Sequence, residues 1–520
     1  MSSVAGQHKW LRPGRAAQAA SGAARPGRGV RILGWSGAVC VSAAILIMIA
    51  VSAAAPEQAV SRATVSAAGP PWSPLSLHLS VVQVYVSLWT ASVAGGAGVI
   101  AGLAAVARGA RPSARLLVAG GLLAVAALAV LPPAGSSDTL DYAADGRIAA
   151  LGYSPYVVTP QWLRARGDPI GKAAPVSWQT HVSAYGPLAT GEEWAAAELG
   201  GTSMARTVFW LKLWNALAFG VVVLALDRLL RADPARRARA HLLWSVNPLL
   251  LWNLIAGGHI DGLAAAFGFL GVTALTVDRP GGSRSPARAL AAGLLAGAAA
   301  GVKAPFGLFA LGIAWAARRS RAALLPATAG GLAILVPATL LAGGASLAAV
   351  AHRGGSSGRD NLYQLFYRPL GSGGPPLGLT AVAGIVFAAV AVLAVRRLPD
   401  SLPGLPAVTP ALALSLAWLL AWPYQQPWYD AMAVCLLALY PASRLDGVVL
   451  VRLLVATASA VPGFSIPGRH DPGWLGRIVQ DNWSYVCPAT RLAALAALVW
   501  LCVCTAHLSR PATPRGPARG

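Results

Sequence analysis

The sequence predicts an all-α, polytopic membrane protein. Of its 520 residues, 56% are hydrophobic and only 11% are charged, and the mean hydropathy is +0.58, whereas about 25% of the residues of a soluble domain are charged. Many uncharged stretches reach the roughly 17–25 residues that a helix needs to cross a bilayer. The net charge of +23 does not indicate nucleic-acid binding, because Lys and Arg are largely confined to short connections between the apolar runs.

The apolar runs, taken in order along the chain, predict about 12–14 membrane-spanning helices. The first run begins at Ile32 behind a basic segment and extends to about Ala55. Because this is too long for the apolar core of a cleaved signal peptide, we expect a retained first helix. The expected limits are 30–55, 79–107, 115–132, 205–230, 241–257, 261–277, 288–302, 305–317, 322–345, 376–395, 406–422, 430–442, 447–465 and 489–507.

The basic residues predict the orientation of these helices. With the N-terminus in the cytoplasm, the alternate connections and both tails hold 26 of the 41 Lys and Arg residues, as the positive-inside rule requires. The transmembrane domain then spans 30–507, between cytoplasmic tails 1–29 and 508–520 whose composition predicts disorder. We expect a multi-pass protein of the plasma membrane in which 133–204 forms a long outer loop.

An acid-rich segment opens this outer loop. Seven of the 18 acidic residues lie in 133–204, and three of those occur within SSDTLDYAADGRIAALGYSPY, residues 136–156. Its apolar residues recur every three to four positions, which predicts a short amphipathic helix on the outer membrane surface. Ser136 and Ser137 stand where an N-cap is expected, and Gly152 can end the helix. The apolar stripe consists of Leu140, Ala144, Ile148 and Leu151.

The three aspartates of this helix have two possible explanations. Asp138, Tyr142 and Asp145 are spaced so as to share one face, and Asp141 is displaced from it. Acidic residues near a helix N-terminus can serve only to complement the helix dipole and to solvate one side, and Asp141 and Asp145 fit that role. Asp138 differs because it follows the third span directly, where a carboxylate could face a cavity between helices.

A family resemblance begins in this loop with SSDTLDYAADGRIAALGYSPYVVTP, residues 136–160. It resembles the first large outer loop of actinobacterial polyprenol-phosphate-mannose-dependent α-(1→6)-mannosyltransferases, which are membrane enzymes of the GT-C superfold. The shared pattern is an aspartate, a tyrosine four residues later, Gly-Arg, and then Gly-x-x-Pro-Tyr. Similar segments follow in the same order, namely SAYGPLATG (183–191), NPLLLWNLIAGGHIDGL (247–263), GVKAPFGL (301–308) and QPWYD (426–430).

The resemblance implies a reaction and its substrates. A sugar, expected to be mannose, would pass from a polyprenyl phosphate to a hydroxyl of a cell-envelope glycan or glycolipid on the outer face. The family's catalytic aspartate corresponds to Asp138. Asp141 is the second candidate, because an aromatic or small polar residue is more usual in the interval between Asp138 and Tyr142. We expect no cofactor, and no metal, since related users of lipid-linked monosaccharides are generally metal-independent.

One carboxylate is enough for this reaction. It would act as the general base on the acceptor hydroxyl. The phosphate leaves as a stable anion and needs no general acid. We therefore expect a single displacement with inversion of the anomeric configuration. The leaving phosphate requires positive charge. Lys303 is the first candidate, because an intramembrane cation is usually functional, although it could instead snorkel to the interface. Arg353, Arg359 and Arg368 are further candidates.

Other outer-face residues are candidates for substrate contact. His259 and Asp261 could bind substrate or phosphate, or only stabilise a turn. Arg147 is expected to pair with a neighbouring aspartate. Aromatic residues bind sugars by stacking but also form the usual belts at membrane interfaces, and those expected to contact substrate are Tyr142, Tyr156, Tyr185, Trp428 and Tyr429.

Two other kinds of protein are compatible with the composition. A transporter or a flippase for lipid-linked sugars would have repeated halves with broken helices in corresponding positions, but no clear internal repeat is visible and the acidic residues gather in one outer loop. A non-catalytic scaffold for envelope assembly would not need Asp138. The glycosyltransferase remains the favoured interpretation.

Overall fold

The protein is a bundle of helices, seen here in a computed structural model. The structure describes residues 27–504, except 67–68, 74, 76, 277–284, 359, 372–374, 400–401 and 464–471. All regular secondary structure among these residues is helical. The predicted tails 1–29 and 508–520 lie outside the described residues, apart from 27–29.

Twenty-two α-helices are assigned in the described ranges, together with short 3₁₀ and π segments. They are α1 (Arg28–Ala54), α2 (Val81–Ala107), α3 (Ala114–Ala129), α4 (Asp138–Ala150), α5 (Pro160–Ala165), α6 (Pro169–Ala173), α7 (Pro187–Gly200), α8 (Met204–Leu229), α9 (Pro234–Leu243), α10 (Pro248–Leu250), α11 (Asp261–Ala274), α12 (Pro286–Val302), α13 (Leu308–Ala317), α14 (Arg321–Ala342), α15 (Gly344–Gly354), α16 (Gln364–Tyr367), α17 (Leu379–Arg397), α18 (Val408–Ala421), α19 (Ala431–Leu437), α20 (Leu445–Ala460), α21 (Gly473–Asp481) and α22 (Cys487–Cys504). The 3₁₀ turns are Arg62–Thr64, Ala304–Gly307 and Pro427–Asp430, and the π segments are Leu251–Ala256 and Asn482–Val486.

Six helices in the described part of the chain are long and apolar enough to cross a membrane, namely α1, α2, α8, α14, α17 and the run Gly473–Cys504. A seventh candidate is the pair Pro234–Ala256 and α11, which is bent by 118°. Each predicted span overlaps helical structure in the described residues, which confirms the polytopic all-α class, although 241–257 is divided among the end of α9, a turn, α10 and a π segment. By length alone fewer helices qualify than the 12–14 predicted, because several apolar runs fold into shorter helices such as the seven-residue α19.

Glycines let the membrane helices approach each other closely. A Cβ added at Gly37 of α1 would lie 2.8 Å from the carbonyl oxygen of Gly98 of α2, and the reverse contact is equally short. A Cβ on Gly293 of α12 would lie 1.9 Å from the carbonyl oxygen of Ala327 in α14. Such small-residue contacts stabilise helix pairs in lipid, where apolar side chains gain little by leaving the bilayer.

Several predicted outer segments meet at one end of the bundle. Asp138 at the start of α4, Lys303 between α12 and α13, Arg353 at the end of α15 and Trp428 before α19 line one cavity. These residues come from separate connections along the chain, so the alternation of inner and outer segments correctly predicts that they share one face. Nearly all residues of α18 and α19 are buried, and Trp418 of α18 lines this cavity.

Candidate active site

Helix α4 places Asp138 at the edge of the cavity. The helix begins at Asp138 and ends at Ala150, close to the predicted limits. Ser136 Oγ accepts a hydrogen bond from the Asp138 backbone N–H at 3.1 Å, whereas the N-cap residue Ser137 makes no side-chain capping bond. Gly152 follows the helix with a φ of +83°, a value that glycine adopts without strain.

The prediction that α4 lies on the membrane surface is wrong. Leu140, Ala144 and Ile148 are buried as the apolar stripe requires, but Leu151 is 41% exposed. Asp145, assigned to the solvated side, is only 1% exposed because α7 packs along that side of α4. The helix is therefore an internal part of the protein, and the solvating role expected for Asp145 is corrected.

The cavity at the end of α4 has a volume of about 210 Å³. Its polar lining comes from Asp138, Lys303 and Arg353. Most of the remaining wall is aromatic, a composition that suits the faces of a sugar ring. The aromatic residues on the wall are Trp178, Tyr185, Trp418, Trp422, Tyr424, Trp428 and Tyr429.

Asp138 is the carboxylate on the cavity wall. Its side chain is 16% exposed, and burial raises its pKa to about 6, against the lowering effect of Lys303 and Arg353. His259 lies behind it, with Nε2 3.7 Å from Asp138 Oδ2. That separation exceeds hydrogen-bond distance, so the Asp138 carboxylate retains its acceptor capacity toward the cavity.

His259 is fixed by its surroundings as a neutral ring. Its Nδ1–H donates to the Asn253 carbonyl oxygen, so Nε2 carries the lone pair and accepts the Ser136 hydroxyl proton at 3.0 Å. The ring stacks on Trp428 with 3.6 Å between centroids. His259 is not among the residues that line the cavity, and it positions Ser136 and Trp428. Its contact with substrate stays a prediction.

Lys303 and Asp261 form a buried ion pair beside Asp138. Lys303 Nζ lies 2.8 Å from Asp261 Oδ2, and their side chains are 7% and 0% exposed. Lys303 Nζ also lies 4.1 Å from the ring centroid of Tyr429 and 5.5 Å from that of Tyr185. An ammonium group has three N–H donors, so its bond to Asp261 leaves donors for an anion in the cavity. Asp261 itself does not line the cavity and holds Lys303 in place.

Arg353 provides the second positive charge on the wall. Its guanidinium lies 4.5 Å from the ring centroid of Trp178 and 5.7 Å from that of Tyr424. Arg359 lies outside the described residues. Arg368 is exposed and does not line the cavity.

The predicted tyrosines occupy two layers. Tyr185 and Tyr429 line the cavity together with Trp428. Tyr142 is fully buried behind Tyr185, edge-on at 4.9 Å. The Tyr156 hydroxyl donates to the Tyr185 carbonyl oxygen at 3.1 Å. Tyr142 and Tyr156 therefore do not line the cavity, and both support Tyr185; their contact with substrate stays a prediction.

Four carboxyl groups cluster where α4 meets α7. They belong to Asp141, Asp145, Glu192 and Glu193. Burial is the main cause that raises the pKa of Asp145 to about 7 and that of Glu192 to about 8. Both Glu193 carboxyl oxygens lack a hydrogen-bond partner among the described residues. Asp141 belongs to this cluster and does not line the cavity, so its role as the second candidate base is weaker than that of Asp138.

The contact between α4 and α7 depends on Gly146. A Cβ at this position would lie 2.1 Å from the Glu193 backbone carbonyl oxygen. We expect Gly146→Ala to lower the free energy of unfolding by about 1–3 kcal/mol, since overpacking displaces the backbone. Thermal unfolding of the purified protein measures the change. Gly191→Ala in α7 is the matched control, because a Cβ there meets nothing within 4 Å, and equal melting temperatures for the two variants would contradict the prediction.

Sequence reasoning missed several residues around the site. Lys212 of α8 is buried and donates to the carbonyl oxygens of Leu128 and Leu131 at 2.8 and 2.6 Å, which holds the end of α3 shortly before Asp138. The Arg147 pair was expected, and its partner is Asp168 at 2.9 Å. The overlooked wall residues Trp422 and Tyr424 stand in WPYQQPWYD, whose density of aromatic residues was the available signal.

A family profile described as alpha-(1->6)-mannopyranosyltransferase, N-terminal domain, matches residues 31–319. This range includes Asp138, Asp261 and Lys303 but ends before Arg353 and Trp428. No solved structure matches the chain.

Individual relatives are similar over a shorter stretch. A probable alpha-(1->6)-mannopyranosyltransferase of Mycolicibacterium smegmatis is 31% identical over 136 residues, which are 26% of this chain and 24% of the relative. An alpha-(1->6)-mannopyranosyltransferase of Mycobacterium tuberculosis is 28% identical over 145 residues, 28% of this chain and 24% of that protein. Alpha-(1->6)-mannopyranosyltransferase B of Corynebacterium glutamicum is 27% identical over 148 residues, 28% of this chain and 25% of that protein. The matched stretch thus spans about a quarter of each relative.

Proposed function

The chain belongs to the alpha-(1->6)-mannopyranosyltransferase family, whose N-terminal domain profile covers more than half of it, and from that premise we propose that it transfers mannose from a polyprenyl phosphate to a hydroxyl of a cell-envelope glycan or glycolipid. The observation that carries the proposal is the cavity in which Asp138 and Lys303 face the same space among aromatic side chains. We place this cavity at the outer face of the plasma membrane, with both termini in the cytoplasm, because 26 of the 41 Lys and Arg residues fall in connections and tails assigned to the opposite side.

The reaction is a single displacement at the anomeric carbon. The acceptor oxygen attacks that carbon, its proton passes to the Asp138 carboxylate, and the bond from carbon to phosphate oxygen breaks with its electron pair going to the phosphate. Because attack and departure occur on opposite faces, the anomeric configuration inverts, and an α linkage requires a β-linked donor. General-base assistance of this kind contributes about 10²–10⁴-fold.

The departing phosphate is stabilised by positive charge. Lys303 and Arg353 line the same cavity as Asp138, and the positive charge of each lowers the pKa of the Asp138 carboxyl. In a buried site such charge stabilises a developing anion more than it would in water. The aromatic wall, with Tyr185, Trp428 and Tyr429, contacts the sugar.

The direct test is a transfer assay with purified full-length protein. Polyprenyl-phosphate mannose and a nucleoside-diphosphate mannose are offered as alternative donors to a short mannoside acceptor, and the linkage of the product is determined. We expect transfer from the lipid-linked donor only, with inversion. Movement of intact lipid-linked sugar across a proteoliposome membrane without any new glycosidic bond would favour the flippase and overturn the proposal.

The ionisation of Asp138 predicts the acidic side of the pH profile. The base must be deprotonated to accept a proton, and its pKa is raised to about 6. We therefore expect kcat/KM to fall roughly tenfold per pH unit once the pH drops below about 6, whereas an unperturbed aspartate would hold its activity to about pH 4. The measurement is kcat/KM between pH 4.5 and 8 at constant ionic strength, and a flat profile across pH 6 would contradict Asp138 as the base.

A further inference from the structure

A second, larger cavity lies at the end of the bundle opposite to the candidate active site. Its volume is about 710 Å³. Two segments connect the ends of the bundle. The helical run Pro234–Ala256 begins beside the larger cavity and ends just before His259. Helix α19 begins shortly after Trp428, and Pro441, which lines the larger cavity, follows it. The two cavities share no lining residue, and the mostly helical stretch from Trp428 to Pro441 corresponds to about 20 Å at about 1.5 Å per residue. The larger cavity is therefore distinct from the proposed catalytic site.

The floor of this cavity is a buried ion pair. Arg239 binds Asp446 through two hydrogen bonds, Nε to Oδ2 at 2.8 Å and Nη2 to Oδ1 at 2.5 Å. The Arg239 side chain is 4% exposed, and it also donates to the Tyr440 carbonyl oxygen at 2.7 Å. The opposite charges of the pair compensate each other, so it gives the cavity a rigid floor without net charge.

The walls of the cavity carry positive charge with little compensation. Arg111 donates to the carbonyl oxygens of Val106 and Ala110 and has no carboxylate partner among the described residues. Arg444 lies 5.5 Å from the ring of Trp500 and likewise has no described carboxylate partner.

Arg236 and Asp233, also on the cavity wall, form only a long ion pair. Arg236 Nε is 4.0 Å from Asp233 Oδ2, and the other oxygen of Asp233 caps α9 through the N–H groups of Ala235 and Arg236. In total, four arginines face two aspartates in this cavity. An anion is therefore the complementary ligand.

One side of the cavity is apolar and belongs to membrane-spanning helices. Ile100 and Leu103 of α2 and Leu450 of α20 line it, and Ile100 is 38% exposed. An inorganic anion would gain nothing from this wall, whereas a lipid would place its phosphate among the arginines and an acyl chain along the helices. We propose that the cavity binds the headgroup of an anionic phospholipid in the leaflet at this end of the protein, as basic pockets between membrane helices can do.

Lipid binding to the delipidated full-length protein tests the proposal. Phosphatidylglycerol and phosphatidylcholine with the same acyl chains are titrated separately, and bound lipid is counted by native mass spectrometry. We expect selective binding of phosphatidylglycerol. The double variant Arg111→Gln/Arg236→Gln should bind it about 30-fold more weakly, since each arginine near a membrane surface contributes roughly fivefold.

The control is Arg319→Gln/Arg321→Gln, which removes two exposed arginines of the same predicted face that do not line the cavity. It should bind phosphatidylglycerol like the unmodified protein. Equal loss in both double variants would show non-specific surface attraction and overturn the proposal. So would binding of inorganic phosphate as tight as that of phosphatidylglycerol, or no preference between the two lipids.

Discussion

Replacing Asp138 with asparagine is expected to lower the rate of sugar transfer by about 10²–10⁴-fold while the protein keeps its fold. Asparagine has nearly the same size as aspartate and can still stand beside Ser136, but its amide cannot take up the proton of the acceptor hydroxyl. The side chain is partly exposed at the cavity, so the exchange leaves no buried charge unpaired. The rate is measured with lipid-linked mannose, and thermal unfolding reports the fold.

Asp141→Asn is the matched control for this experiment. Asp141 lies one helical turn further along α4, on the side of the carboxyl cluster and away from the cavity wall. We expect this variant to retain transfer within about tenfold. Full activity in Asp138→Asn together with loss in Asp141→Asn would reverse the assignment of the base.

Replacing Lys303 with methionine is expected to reduce both stability and activity. Asp261 would remain buried without its partner, and breaking such a pair costs about 3–5 kcal/mol. Loss of a charge that stabilises the leaving phosphate should lower the rate by about 10²–10³-fold. Since Lys303 lowers the pKa of Asp138, the acidic side of the pH profile of any residual activity should move to higher pH.

A second variant separates these two effects. Lys303→Met/Asp261→Asn removes both charges, so its melting temperature should recover most of the loss seen in the single variant, because no uncompensated carboxylate remains. Its transfer rate should stay low. If the rate recovers together with the stability, Lys303 has only a structural role and the assignment to the phosphate is wrong.

The apolar runs and the alternation of basic connections were sufficient to predict which residues face the same side. Asp138, Lys303, Arg353 and Trp428 are far apart in the chain, yet they line one cavity. Each belongs to a connection whose side of the membrane follows from counting spans. The side of the membrane on which a connection lies depends only on the number of spans before it and on its basic residues. It could therefore be predicted without knowing how the helices pack.

The same reasoning could not predict which of the candidate residues line the cavity and which are buried behind it. Helical spacing places Asp138, Tyr142 and Asp145 on one side of α4, but only Asp138 lines the cavity, whereas Asp145 lies with Asp141 in the carboxyl cluster against α7. The side of α4 that meets α7 is decided by the close approach at Gly146, which involves a partner 47 residues away. Lys212 similarly finds carbonyl partners 81 and 84 residues away, and no local pattern distinguishes it from a lysine that snorkels to the interface.

The buried carboxyl groups between α4 and α7 make the stability of the predicted outer loop depend on pH. The pKa values of Asp145 and Glu192 are raised from ordinary values near 4 to about 7 and 8, so the folded loop holds protons that an unfolded loop would release. Its stability is then greatest in acid and declines as the pH rises from about 4 towards 8. In the proposed reaction Asp138 has the opposite pH dependence, because a general base must be deprotonated and the pKa of Asp138 is raised to about 6. With the cavity at the proposed outer face, we expect the proposed transfer to be fastest in a weakly acidic range, set by the pH of the medium outside the cell.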